Sequence, residues 1–144
     1  MEERLSASLE DYLEAISHIA SEKHVARAKD IARRLEVNQS SVTVALRALA
    51  KRGLINYAPY DFVTLTPEGE RVSQNVVQRH QTLRRFFITV LSVESRLADK
   101  AACEMEHSLP YEILVLLTEF VNFVERCPQC LEQFRQEQAQ KEGG

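Results

Sequence analysis

Between Arg27 and Leu65 the hydrophobic period of the chain changes twice, and the punctuation between the segments leaves little choice of fold. Ala28, Ile31, Ala32 and Leu35 recur at helical spacing and predict a short helix from about Arg27 to Leu35. Glu36-Val37-Asn38 breaks it with a tight polar turn. A longer helix follows from about Gln39 to Arg52, with Val42, Leu46 and Leu49 inward and Gly53 placed as its C-terminal cap. Leu54-Ile55-Asn56-Tyr57 and Phe62-Val63-Thr64-Leu65 are β-prone runs separated by Ala58-Pro59-Tyr60-Asp61, which cannot continue a helix. Short helix, brief turn, longer helix and a two-stranded wing together predict a winged helix-turn-helix.

The flanks are helical. Leu9, Leu13, Ile16 and Ile19 predict a first helix from about Ser6 or Ser8 to Glu22, and Ser8-x-x-Asp11 resembles a capping box. Thr66-Pro67-Glu68 opens a long helix expected to reach about Leu91, with more apolar surface (Val72, Val76, Val77, Leu83, Phe86, Phe87, Val90) than a small winged module can cover. Two more helices are expected over about Ser95 to His107 and Pro110 to Arg126. The second is apolar on nearly every side and needs burial, for which a second copy of the chain is the natural cover. The polar stretch from Gln129 to Lys141 is expected to be a short helix fraying into a disordered end. The fold class is therefore mainly α: a winged helix-turn-helix over residues 1–70 and a helical dimerisation domain over 71–144, forming a two-fold homodimer.

The net charge of -3 argues mildly against nucleic acid, but the charge is segregated. Residues 23 to 52 carry eight basic side chains against Asp30 and Glu36, a local +6 that leaves -9 for the remainder. A basic face on a predicted helix-turn-helix points to double-stranded DNA, although a solvated helix surface gives the same count. Gln39, Ser40, Ser41 and Thr43 open the longer helix as base or phosphate contacts, with Arg27, Lys29, Arg47 and Lys51 for phosphates. No apolar run is long enough for a membrane span and the N-terminus lacks the order of a signal peptide, so the cytoplasm is the expected location. Nothing resembles a general acid-base pair or a phosphate loop, so an enzyme is not expected.

Cys103, Glu106 and His107 offer sulfur, oxygen and nitrogen at spacings of three and four, hence on one helix face. Each has a plainer reading, as a small buried thiol, a surface acid and a helix C-terminal cation. Together they suit a mid-first-row divalent ion. Asp11 and Glu14 sit three apart beside the buried stripe of the first helix, and His80 lies on the long helix. Cys127-Pro128-Gln129-Cys130 has spacing suited to zinc or an iron-sulfur cluster, but it supplies only two local ligands. Two copies in a dimer, redox sensing or no special role are its other readings. Three cysteines in a reducing compartment imply no disulfide framework.

Five motifs then occur in order: Glu10-Asp11-Tyr12-Leu13-Glu14-Ala15-Ile16, Gln39-Ser40-Ser41-Val42-Thr43, Tyr57-x-x-Tyr60-x-x-Val63-x-Leu65-Thr66-x-x-Gly69, Arg79-His80 and Cys103-x-x-Glu106-His107. Over about residues 6 to 125 the chain resembles the diphtheria toxin repressor family of iron- and manganese-dependent regulators. By position the resemblance implies ligand roles for Asp11, Glu14, His80, Cys103, Glu106 and His107, joining the first helix to the dimerisation helices. The sequence stops without that family's optional SH3-like domain, which makes it similar to the short manganese branch, where two ions bind per subunit. Asp11 agrees with that branch, whereas Cys103 resembles the iron branch. Arg84 stands where relatives commonly have a carboxylate, Val44 where they are often polar, and Asp61-Phe62 where arginine-glycine is usual in the wing.

The resemblance implies a repressor of metal-uptake genes controlled by Fe²⁺, with Mn²⁺ second, since a thiolate favours the softer ion. With Cys103 ionised, Asp11, Glu14, Cys103 and Glu106 bring as many as four negative charges together, so the site without metal is expected to hold the first helix loosely. Metal replaces repulsion with bridging bonds and fixes two recognition helices on a two-fold symmetric operator. The competing reading is a winged-helix regulator that senses redox or a small ligand through its cysteines, without metal control.

Overall fold

Ser6 opens the first helix: its Oγ accepts from the Leu9 amide at 3.2 Å, and α1 runs from Ala7 to Lys23. Ser8 and Asp11 therefore lie inside the helix rather than forming its capping box, because Ser6 already satisfies an amide at the helix start. Such a cap stabilises by about 0.5–2 kcal/mol. His24, with φ 69°, ends α1. A computed structural model describes residues 4–58 and 62–144, so Pro59, Tyr60 and Asp61 of the expected wing turn lie outside the described residues.

Strand β1 (Ala26–Arg27) leads directly into α2 (Ala28–Leu35). Glu36 takes a left-handed φ of 55°, and Asn38 caps α3 (Gln39–Lys51) by accepting from the Ser41 amide at 2.8 Å. Gly53 follows at φ 73°, a conformation that favours glycine, and turns the chain into β2 (Ile55–Ala58). The sheet order is β1-β3-β2, with β3 (Phe62–Leu65) antiparallel to both neighbours. The wing thus gains a third strand that the sequence did not announce. Ala26 and Arg27 are no β-prone run, but they become a strand by pairing with Val63 and Phe62. Leu13, Ile16, Ile31, Val42, Leu46, Leu49 and Val63 have no exposed surface and form the core of this unit.

Thr66 joins wing to helix. Its hydroxyl donates to the Gly53 carbonyl at 2.7 Å and accepts from the Gly69 amide at 3.0 Å, at the start of α4 (Pro67–Arg85). Gly69 is required by proximity: a Cβ there would stand 1.8 Å from the Leu54 carbonyl oxygen. The chain divides into two compact units, residues 1–77 and 78–144, the division falling within α4.

In the second unit the helix expected to reach Leu91 changes character at Phe86, where Phe86–Val90 forms a wider π turn closed by Leu91 donating to the Phe86 carbonyl. Glu94 caps α5 (Ser95–Met105) by accepting from the amides of Arg96 and Leu97, and Glu106–Ser108 tightens into a 3₁₀ turn. Helix α6 (Tyr111–Glu125) buries Leu114, Val121 and Val124, and Arg85 ties it to α4 through Glu125 at 2.8 Å and Asn122 at 3.0 Å. Its other side exposes Tyr111, Ile113, Leu116, Phe120 and Phe123. The tail expected to fray is instead a full helix, α7 (Pro128–Glu142), started by Pro128 in its first turn. Among the described residues no helix is long and apolar enough to cross a membrane.

Candidate metal centre

His80 on α4, Cys103 on α5 and Glu106 at the following 3₁₀ turn bring nitrogen, sulfur and oxygen donors within 4.8 Å of one another. Cys103 and Glu106, three apart, share a face directed at α4. His80 Nδ1 lies 2.7 Å from Glu106 Oε2 and 3.7 Å from Cys103 Sγ. Glu106 is 1 % exposed, and its backbone is held by Arg79, whose Nη1 donates to the Glu106 carbonyl at 2.9 Å. His107 places Nε2 3.5 Å from the other carboxylate oxygen of Glu106. A buried carboxylate is costly unless paired with a cation, and the neighbouring imidazole and thiol are donors that a divalent ion uses. The residues present therefore fit a mid-first-row divalent cation.

Asp11 and Glu14 belong to the N-terminal unit, on α1. Asp11 is exposed, whereas Glu14 is half-buried and 3.5 Å from His18. Two residues not expected at this site border it: Asp99, whose Oδ1 is 3.4 Å from His80 Nε2, and Arg84, whose Nε donates to that same oxygen at 2.8 Å. Asp99 precedes Cys103 by four residues, a spacing that already placed it on the ligand face.

The expected DNA-contacting residues are distributed over α2, α3 and the strand before them. Arg27, Lys29, Gln39, Ser40, Ser41, Arg47 and Lys51 are exposed, and Thr43 is half-buried with its hydroxyl donating to the Gln39 carbonyl at 3.0 Å. Ser40 donates to the capping Asn38 at 2.7 Å. The Arg27 guanidinium lies 5.1 Å from the centre of the Phe62 ring, a cation–π contact that anchors it beside the wing. Lys23, Arg27, Lys29 and Arg33 line an open concavity of about 380 Å³ with Val25 and Asp30.

Cys127 and Cys130 are joined by a disulfide at the start of α7. The cysteine count implied no disulfide framework, and this single local bond departs from that expectation. With their sulfurs bonded to each other they offer no thiolate to zinc or an iron-sulfur cluster. Cys103 is exposed and takes no part in that disulfide.

Comparison with known proteins identifies the family of both halves of the chain. The description "Iron dependent repressor, N-terminal DNA binding domain" matches residues 4–63, and "Iron dependent repressor, metal binding and dimerisation domain" matches residues 66–135. An uncharacterised HTH-type transcriptional regulator of Methanocaldococcus jannaschii is 33% identical over 81% of this chain and 94% of its own length. The transcriptional regulator MntR of Salmonella typhimurium is 41% identical over 74% of this chain and 67% of its own length. A solved manganese-dependent transcriptional repressor in complex with manganese superimposes with a TM-score of 0.70 at 27% identity, covering 80% of this chain and 53% of that one. The chain spans about half the length of several such solved relatives. With both halves matched and the donor cluster in place, the chain belongs to the iron-dependent repressor family, whose members are metal-dependent DNA-binding transcriptional regulators rather than enzymes.

Proposed function

We propose that this chain is a metal-gated transcriptional repressor of metal-uptake genes, acting in the cytoplasm as a homodimer on a two-fold symmetric operator. The observation that carries the reading is Glu106: a carboxylate 1 % exposed, 2.7 Å from His80 and on the face shared with Cys103. His80, Cys103 and Glu106 hold the ion, and Asp11, Glu14 and His107 are its remaining ligands or neighbours. A bound divalent cation supplies positive charge that the carboxylates and thiolate otherwise lack. The chain's own contribution is to keep Glu106 fixed through Arg79 and to present α1 carboxylates whose mutual repulsion is relieved on loading.

Fe²⁺ is the favoured ion because Cys103 is a soft donor, with Mn²⁺ second. Helix α3 is the recognition helix: Gln39, Ser40, Ser41 and Thr43 meet base edges or phosphates, and exposed Val44 offers an apolar surface to a thymine methyl. Arg27, Lys29, Arg47 and Lys51 take phosphates, and the basic concavity beside Arg27 has the charge to receive one. The exposed apolar face of α6 is the dimer contact.

Glu106→Ala is the test. Retained fold with loss of metal-stimulated operator binding supports the proposal; metal stimulation equal to that of the unaltered protein refutes it. The disulfide at Cys127 and Cys130 keeps a second reading in view, a regulator responding to redox instead. In that case operator affinity follows reductant and ignores metal.

A further inference from the structure

Ser95, Asp99 and Cys103 lie four residues apart on α5, and His80 and Arg84 lie four apart on α4, so two helical stripes face each other. The contacts between them form a ladder. Arg84 donates from Nη2 to Ser95 Oγ at 3.0 Å and from Nε to Asp99 Oδ1 at 2.8 Å. The same Asp99 oxygen stands 3.4 Å from His80 Nε2, while His80 Nδ1 points the other way, to Glu106 and Cys103. The two ring nitrogens of His80 therefore face chemically different surroundings: one a carboxylate already neutralised by a guanidinium, the other the donor cluster.

We propose that Asp99, held by Arg84, is a positioning residue that keeps the proton of His80 on Nε2 and turns Nδ1 toward a single divalent ion shared with Cys103 and Glu106. An imidazole that binds metal through one nitrogen is oriented by what its other nitrogen donates to, and a carboxylate is the strongest such acceptor. Arg84 sets the direction. Its positive charge on Asp99 opposes a cation on the Nε2 side, so Asp99 serves as an outer acceptor and not as a ligand. The inference rests on the metal-gated reading of the same cluster.

Long-range ¹⁵N–¹H correlation spectra of the ¹⁵N-labelled full chain, with and without Zn²⁺ as a diamagnetic probe, read the ring nitrogens directly, His80 being identified by its loss in His80→Gln. The expected result is a metal-shifted Nδ1 and a protonated Nε2. Asp99→Ala should lower Zn²⁺ affinity by about tenfold or more. A metal-shifted Nε2 overturns this inference alone, and no change of His80 on adding Zn²⁺ overturns it together with the metal-gated reading. If Asp99 merely pins α5 to α4, Asp99→Ala lowers the melting temperature of the metal-free protein with unchanged Zn²⁺ affinity, and the inference fails.

Discussion

Arg79 donates from Nη1 to the backbone carbonyl of Glu106 at 2.9 Å, so the residue next to one candidate ligand, His80, fixes the main chain of another. Both partners are buried, Arg79 at 6 % exposure and Glu106 at 1 %. Adjacent positions on α4 thus hold the backbone and the carboxylate of the same residue across a helix boundary. Arg79→Ala removes that bond and leaves a carbonyl to find another partner. The expected cost is about 1.5–3 kcal/mol in urea unfolding of the metal-free protein, with weaker Zn²⁺ binding by calorimetry. An unaltered unfolding midpoint would show that the bond does not support the site.

Gly69, near the start of α4, leaves no room for a side chain beside the Leu54 carbonyl. The methyl of Gly69→Ala would meet the Leu54 carbonyl oxygen at 1.8 Å, and that oxygen also accepts from the Thr66 amide. Relief requires the start of α4 to move away from Leu54, just ahead of β2, at a cost of about 1–3 kcal/mol. The measurement is a thermal melt, where a melting temperature equal to that of the unaltered chain contradicts the close approach.

Phe120 is 47 % exposed on a helix side that also exposes Leu116 and Phe123. If this face is the dimer contact, Phe120→Glu buries a charge there and weakens association by about 2 kcal/mol or more. Sedimentation across a concentration series should show the unaltered chain as a dimer and the variant shifted toward monomer. Equal dissociation constants would move the interface elsewhere.

The Cys127–Cys130 bond closes a very short loop within the first turn of α7, and cross-links over the shortest loops restrict the unfolded chain least. Reduction with dithiothreitol is expected to change metal-loaded operator affinity by less than about twofold, on the loop-entropy argument. A large loss or gain would favour the redox reading over metal control.

The winged unit was legible because its helices carry both a period and punctuation: Asn38 and Gly53 bracket α3 as their chemistry demands. Ser6 and Ser8 were harder to separate, since either places a hydroxyl ahead of an apolar stripe and only the bond to Leu9 decides. Strand β1 had no local signal because Ala26 and Arg27 owe their strand geometry to a partner far along the chain. The π turn at Phe86–Val90 hardly alters apolar spacing, so a periodicity argument passes over it. At the candidate metal site the donor types and spacings of Cys103 and Glu106 were readable, and Asp99 shared their face. Its role emerges only from the pairing with Arg84 and His80, which joins two helices.

Cation binding at His80, Cys103 and Glu106 is proposed to control DNA affinity. DNA fragments selected by the metal-loaded full chain should be titrated by fluorescence anisotropy in Fe²⁺ under anaerobic conditions, in Mn²⁺, and in chelator, at one fixed salt concentration. The expected operator affinity is about 5- to 150-fold higher with metal than with chelator, the usual range of coupling between two sites. Equal affinity in all three conditions would contradict it.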